Sequence, residues 1–224
     1  MNSPEKKQVL NAGCGVAGTG RVASVFPPAL WNEVRLDIEP EIQPDILGSF
    51  ADMRGMVEDA CFDALYSSHS IEHLYAHEVI PAFREFLRVL KPDGFALVTC
   101  PDLAAIARQL LDEGAEGIAY QSPAGPIRPI DMLYGHSQSI GAGHIAMAHN
   151  TGFTAARLGR VALASGFAEV RVIEGANFDL WALLLGPQAS LEKIAPSITG
   201  PEIAGLVAAT GLSTAEAGTG ERRV

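Results

Sequence analysis

The chain is poor in cysteine, in basic residues, in aromatic residues and in long apolar runs, and each shortage narrows what it can be. Three cysteines in 224 residues, Cys14, Cys61 and Cys100, form neither an even disulfide framework nor a CxxC pair. They read as small buried residues in a reducing compartment. Lys and Arg number 16 against 26 Asp and Glu, a net charge of −10, which disfavours a broad electrostatic footprint on DNA, RNA or an anionic membrane. A small or uncharged partner is expected instead. No segment approaches the roughly 18 apolar residues of a membrane span. The polar opening, with Glu5, Lys6 and Lys7, has no apolar run behind it to serve as a secretory signal. The sequence predicts a cytoplasmic protein, and it carries no signal that decides oligomeric state.

What the chain does have is 48% hydrophobic residues and a mean hydropathy of +0.17, enough for one well-buried domain. Its most informative stretch is Val9-Leu10-Asn11-Ala12-Gly13-Cys14-Gly15, an apolar run that breaks into glycines where a strand should turn into a helix. Two glycines one residue apart allow positive φ and leave no Cβ in the way of a bound ligand. Some twenty residues on, Glu33 to Ile38 reads as a second strand ending in Asp37, whose carboxylate can accept from a ribose diol. The pair suggests a nucleoside-bearing cofactor.

Further strand-like runs lie at Ile46-Leu47, Phe62 to Tyr66 and Phe95 to Thr99. A short helix is expected over Arg21 to Phe26, cut by Pro27 and Pro28, and a strong amphipathic one over Ala76 to Leu90. Asp102 is placed to cap a helix over Leu103 to Leu111, and Thr154 one that runs to Leu163 and closes at Gly166. Two strands follow, Glu169 to Ile173 and Phe178 to Leu185. The alternation argues for a parallel sheet in an α/β fold. Between Gly114 and Gly152 the pattern dissolves into an irregular insert holding Tyr134, His136, Gln138, His144 and His149; such inserts bind something or move. The expected organisation is a tail over 1–8, a domain over 9–187 with the insert at about 114–152, and an extension over 188–224 that is disordered toward its end, with a short helix over Pro201 to Ala209.

Leu10-Asn11-Ala12-Gly13-Cys14-Gly15, Asp37, the run Phe62-Asp63-Ala64-Leu65-Tyr66-Ser67-Ser68-His69-Ser70-Ile71-Glu72-His73-Leu74 and the later Leu90-Lys91-Pro92-Asp93-Gly94-Phe95 occur in the order of a known pattern. In these the chain resembles the class I S-adenosylmethionine-dependent methyltransferases, the small group opening with an LDxGCG-like motif, over residues 9 to 186. The resemblance implies a doubly wound, Rossmann-like sheet of seven strands, six parallel and one antiparallel, with helices on both faces. It implies S-adenosylmethionine as cofactor, with Asn11, Gly13, Cys14, Gly15, Asp37, Ile38, Ser49, Phe50, Asp52, Met53 and Ser68 as the contacting set. Asn11 stands where the family usually has an acid, and Ser49 where the adenine turn usually has one, with Asp52 three residues later.

His69, after the fourth strand, is the candidate base for the acceptor, its pKa being close to working pH; the bland alternative is packing beside the cofactor. His73, next to Glu72, reads as structural. His136, His144 and His149 have spacings that match no short metal motif, so no metal is expected, and with Tyr134 and Gln138 they are expected to line the acceptor pocket. The implied reaction is methyl transfer to oxygen, nitrogen or sulfur of a small molecule. Two alternatives stay open: use of the aminocarboxypropyl chain with release of methylthioadenosine, and a non-catalytic protein that retains the fold.

Overall fold

A computed structural model describes residues 5–18, 22–122 and 125–213. In chain order the first half runs β1 (Lys7–Ala12), α1 (Val22–Val25), β2 (Trp31–Asp37), β3 (Ile46–Leu47), β4 (Phe62–Ser68), α2 (Val79–Val89), β5 (Leu90–Pro101) and α3 (Leu103–Glu113). The insert follows as β6 (Tyr120–Ser122), β7 (Gly125–Ile127), α4 (Pro129–Tyr134) and α5 (Ser137–Gly141). The chain then continues through α6 (Ala155–Ala164), β8 (Glu169–Glu174), β9 (Asp179–Leu185), α7 (Leu191–Ile194), α8 (Pro201–Ala208) and β10 (Leu212–Ser213).

The main sheet has the order β3-β2-β1-β4-β5-β9-β8-β10. Strands β1 to β5 are mutually parallel, and β9 is antiparallel to both β5 and β8, so β8 runs with the first five. These are the six parallel strands and one antiparallel strand implied by the resemblance. The count is corrected by one: β10 adds an eighth strand, antiparallel to β8. It is only two residues long, and so short a bridge has no periodicity for a sequence to display.

The layers follow from the alternation of side chains across the pleat. Leu10, Leu65, Ala96, Val98 and Cys100 face one core, which α2 covers with Val79, Phe83 and Phe86 and α6 with Leu158 and Ala162. Val9, Tyr66, Phe95 and Leu97 face the other. Because Pro27 and Pro28 hold α1 to four residues, that second face would stay half bare. The C-terminal segment covers it: Ile194, Ile198, Ile203 and Leu206 are buried there, the Trp31 indole donates to the Ser197 carbonyl at 2.7 Å, and Thr199 N donates to the Val25 carbonyl at 2.9 Å. Up to Ser213 the expected extension is therefore a layer of the fold; its last residues lie outside the described ones.

The helix limits agree with the capping residues. Asp102 accepts from Ala104 N at 2.9 Å, and the Thr154 hydroxyl accepts from Arg157 N at 3.2 Å. Gly166 closes α6 at φ +110°. The insert differs from expectation, since it is built from a hairpin and two short helices. Pro129 opens α4, where its fixed φ suits the first turn. Its elements of three to six residues are too short to show a period.

Candidate active site

The strand order reverses beside β1, which has β2 on one side and β4 on the other, and an open α/β sheet holds its ligands at the carboxyl ends of such strands. There the glycine turn leaves β1. Gly13 has φ +74°, and a Cβ on it would stand 2.3 Å from Ser70 Oγ. Gly15 has φ +61°, and a Cβ there would meet nothing within 4 Å among the described residues. Asp37 Oδ2 accepts from Gly15 N at 2.9 Å and its Oδ1 from Glu39 N at 3.2 Å. A carboxylate has about four acceptor sites, so about two remain, which is what a ribose diol requires. Arg35 Nη2 donates to the Gly15 carbonyl at 2.7 Å and secures the turn from the other side.

The remaining residues of the implied cofactor set divide. Cys14 is buried, and burial pushes its thiol up to about 11, so it is a neutral filler of the turn. Ile38 lies half exposed just past Asp37. Phe50 reaches to 3.5 Å from the Gly13 Cβ position and packs on Phe86 with ring centres 5.7 Å apart. Asn11 donates to Glu33 Oε1 at 2.7 Å. Ser68 Oγ bonds Thr99 Oγ1 at 2.9 Å. The Met53 side chain is fully buried in the core cluster that α2 covers, so only its main chain can face a ligand. Asp52 is exposed and gripped by Arg54 at 2.8 and 2.7 Å, which holds its carboxyl down at about 2. Ser49 is exposed and accepts from Ala51 N at 3.1 Å.

After β4 the chain turns at His69, whose φ of +50° is uncommon for a residue with a Cβ. Its N–H donates to the Thr99 carbonyl at 3.0 Å. His69 Nδ1 lies 3.5 Å from Glu72 Oε1. That is long for a hydrogen bond, and such contacts tighten when substrate is bound. Glu72 is buried, and its second oxygen, Oε2, has no hydrogen-bond partner among the described residues. Burial raises the Glu72 pKa, but the neighbouring imidazoles of His69, His73 and His149 outweigh it and hold the carboxyl below its usual range.

These groups open on a cavity of about 150 Å³, whose wall includes His69, Glu72, His73, Asp131, His136 and His149. Tyr120 and Phe178 close its far side, their rings stacked with centres 6.4 Å apart. The end of the insert is stitched to the turn at Ile71–His73: Asn150 N and Thr151 N donate to the Glu72 carbonyl at 2.9 and 3.2 Å, and Asn150 Nδ2 to the His73 carbonyl at 2.9 Å. Of the five insert residues expected at the pocket, His136 and His149 line this cavity. Tyr134, at the end of α4, Gln138, in α5, and His144, after α5, are exposed and stand outside its wall.

Sequence reasoning passed over Ser70, Arg35, Glu33 and Asp131. Ser70 Oγ bridges the Gly13 and Ser68 carbonyls at 3.3 and 3.1 Å, joining the two catalytic-end turns. Asp131 is buried, takes the Arg128 guanidinium at 2.9 Å and also accepts from Ser137. Only Glu33 carried a usable signal, an acid at an interior position of a strand.

Residues 10–98 match the methyltransferase domain family. No curated protein sequence matches the chain significantly. Among solved structures, the PH0226 protein of Pyrococcus horikoshii OT3 superposes with a TM-score of 0.56 at 17% identity, over 81% of this chain and 82% of that one. An S-adenosylmethionine-dependent methyltransferase from Mesorhizobium loti gives 0.54 at 16%, over 83% and 93%. One from Methanosarcina mazei gives 0.51 at 16%, over 81% and 93%. Over residues 10–98 the chain thus matches a methyltransferase domain, and its glycine turn, Asp37 and sheet order sit in the fold that these solved structures share.

Proposed function

We propose that this enzyme moves the methyl group of S-adenosylmethionine to an oxygen, nitrogen or sulfur of a small molecule seated in the cavity beside His69. The observation that carries this reading is that His69, at the end of β4, both borders that cavity and leaves the same sheet edge as the glycine turn. A sulfonium is already a good leaving group, so the protein has mainly to align nucleophile, methyl carbon and sulfur and to keep water out. In this reading Asp37 holds the ribose and the bare main chain at Gly15 lies against the methionine portion. Ile38 and Phe50 flank the adenine. The negative charge missing at Asn11 is supplied one strand away, by Glu33 through its bond to the Asn11 amide. His69 accepts the acceptor's proton, with Glu72 Oε1 steadying the imidazole at Nδ1. The cavity volume and the charge of −10 favour a small acceptor over a nucleic acid.

The test combines two variants with calorimetry and product analysis. Asp37→Ala should weaken S-adenosylhomocysteine binding roughly 10- to 100-fold, the worth of one or two hydrogen bonds to a charged group. His69→Ala should leave that affinity nearly intact and lower turnover about 10²-fold or more on a panel of small phenols, amines and thiols supplied with methyl-labelled cofactor. Release of methylthioadenosine in place of S-adenosylhomocysteine would replace methyl transfer with aminocarboxypropyl chemistry. Absence of binding to any S-adenosyl ligand would leave a non-catalytic protein of this fold.

A further inference from the structure

Glu72, His73 and His149 form a cluster of which base duty at His69 uses only Glu72 Oε1. Each offers one ligand atom, and the three atoms lie within 4.8 Å of one another. Ligands about 2.1 Å from one tetrahedral ion stand about 3.4 Å apart, so modest side-chain rotations close the set. The two imidazoles are already oriented for this. His73 Nδ1 lies 3.0 Å from the Ala148 carbonyl, and His149 Nδ1 lies 2.9 Å from the Met132 carbonyl. A carbonyl only accepts, so both Nδ1 atoms carry the proton and both Nε2 atoms are left with a lone pair. That is the tautomer a metal-binding imidazole adopts, with its second nitrogen tied to an acceptor.

Glu72 supplies the independent sign. Its side chain is 2% exposed, and Oε2 accepts nothing among the described residues while Oε1 faces His69. A buried carboxylate oxygen without a donor is costly, and a cation is the partner that removes the cost. Beside Glu72 and His149 there is a second small cavity of about 20 Å³, room for one water or one ion.

We infer that Glu72 Oε2, His73 Nε2 and His149 Nε2 bind one divalent transition-metal ion at the wall of the acceptor cavity. Two imidazoles with one carboxylate suit Zn²⁺, Fe²⁺ or Co²⁺ and disfavour Mg²⁺ and Ca²⁺, which prefer all-oxygen shells. Three protein ligands leave a coordination position for water or for an oxygen of the acceptor, which is how catalytic rather than structural metal sites are built. The placement at the acceptor rests on the functional reading above; the ion site itself does not.

The test uses the full chain stripped with chelator and titrated with Co²⁺, followed by visible d–d absorption. One Co²⁺ per chain is expected, displaced by Zn²⁺ and not by Ca²⁺, with Zn²⁺ raising the melting temperature and chelator reversing the rise. His73→Ala and His149→Ala should each weaken Co²⁺ binding at least about tenfold. Glu72→Gln should also weaken it, because it removes the one anionic ligand of the set. Failure of the wild type to bind Co²⁺ stoichiometrically, or undiminished binding in both folded histidine variants, would overturn the site. Calorimetry with S-adenosylhomocysteine on the same samples separates the two claims. Retained binding without Co²⁺ sinks the metal site alone; lost binding sinks the methyltransferase reading.

Discussion

At Gly13 two constraints act on one residue. Its φ of +74° disfavours any side chain, and Ser70 occupies the space a Cβ would take. Gly13→Ala should therefore cost about 2–4 kcal/mol, the sum of a left-handed backbone and one overpacked contact. Urea unfolding would show it, and a loss below about 1 kcal/mol would mean that the turn yields. Gly15 differs, since a Cβ there meets nothing among the described residues and its φ of +61° is the demand they show. The same glycines were legible in the sequence because a strand that ends in GxG has few structural uses. Ser70 was not legible, because nothing local distinguishes a serine that clamps a turn from one at the surface. Glu72 was hidden in the same way: its importance lies in what surrounds it, and His149 arrives from the insert.

At the scale of elements, α2 shows how an amphipathic period becomes stability. Val79, Ala82, Phe83, Phe86 and Val89 are all buried against the sheet, while Glu85 and Arg88 lie toward the preceding loop. Phe83 is fully buried, and Phe83→Ala should destabilise by about 3–5 kcal/mol; thermal melts or urea midpoints would check it. Glu85 Oε2 accepts from Met53 N at 2.7 Å, and both Glu85 oxygens take Arg88 at 2.8 Å. Arg88 Nη1 in turn donates to the Val57 carbonyl at 3.0 Å, so the helix fastens the loop between β3 and β4. The helix was plain in the sequence, although it starts at Val79 and not at Ala76. The insert was not. Its helices are too short for a period to emerge, so spacing along the chain could not reveal that His149 faces His73, with ring centres 5.0 Å apart.

At the scale of the molecule, carboxylates bonded to arginine set the response to acid. The Arg88 guanidinium holds Glu85 below its usual range; at Asp131, burial opposes ionisation but bonds from Arg128 and Ser137 prevail and depress it further. Both folded values lie below the unfolded ones of 4.5 and 3.8, so the unfolded chain binds more protons in acid. Their contribution is complete above those unfolded values and is lost as the pH falls through the folded ones. Urea midpoints measured through the acid range should fall with pH, and Asp131→Asn should flatten that slope; identical slopes in the two proteins would refute the assignment. By itself the sequence determined the parallel sheet, the glycine turn after β1 and the acid that ends β2, because each is written in neighbouring residues through period, glycine and strand end. Tertiary structure alone decided the eighth strand, the C-terminal layer over the face that α1 leaves short, and the meeting of Glu72, His73 and His149. Those depend on side chains from separate elements converging in space, and distance along the chain holds no record of that.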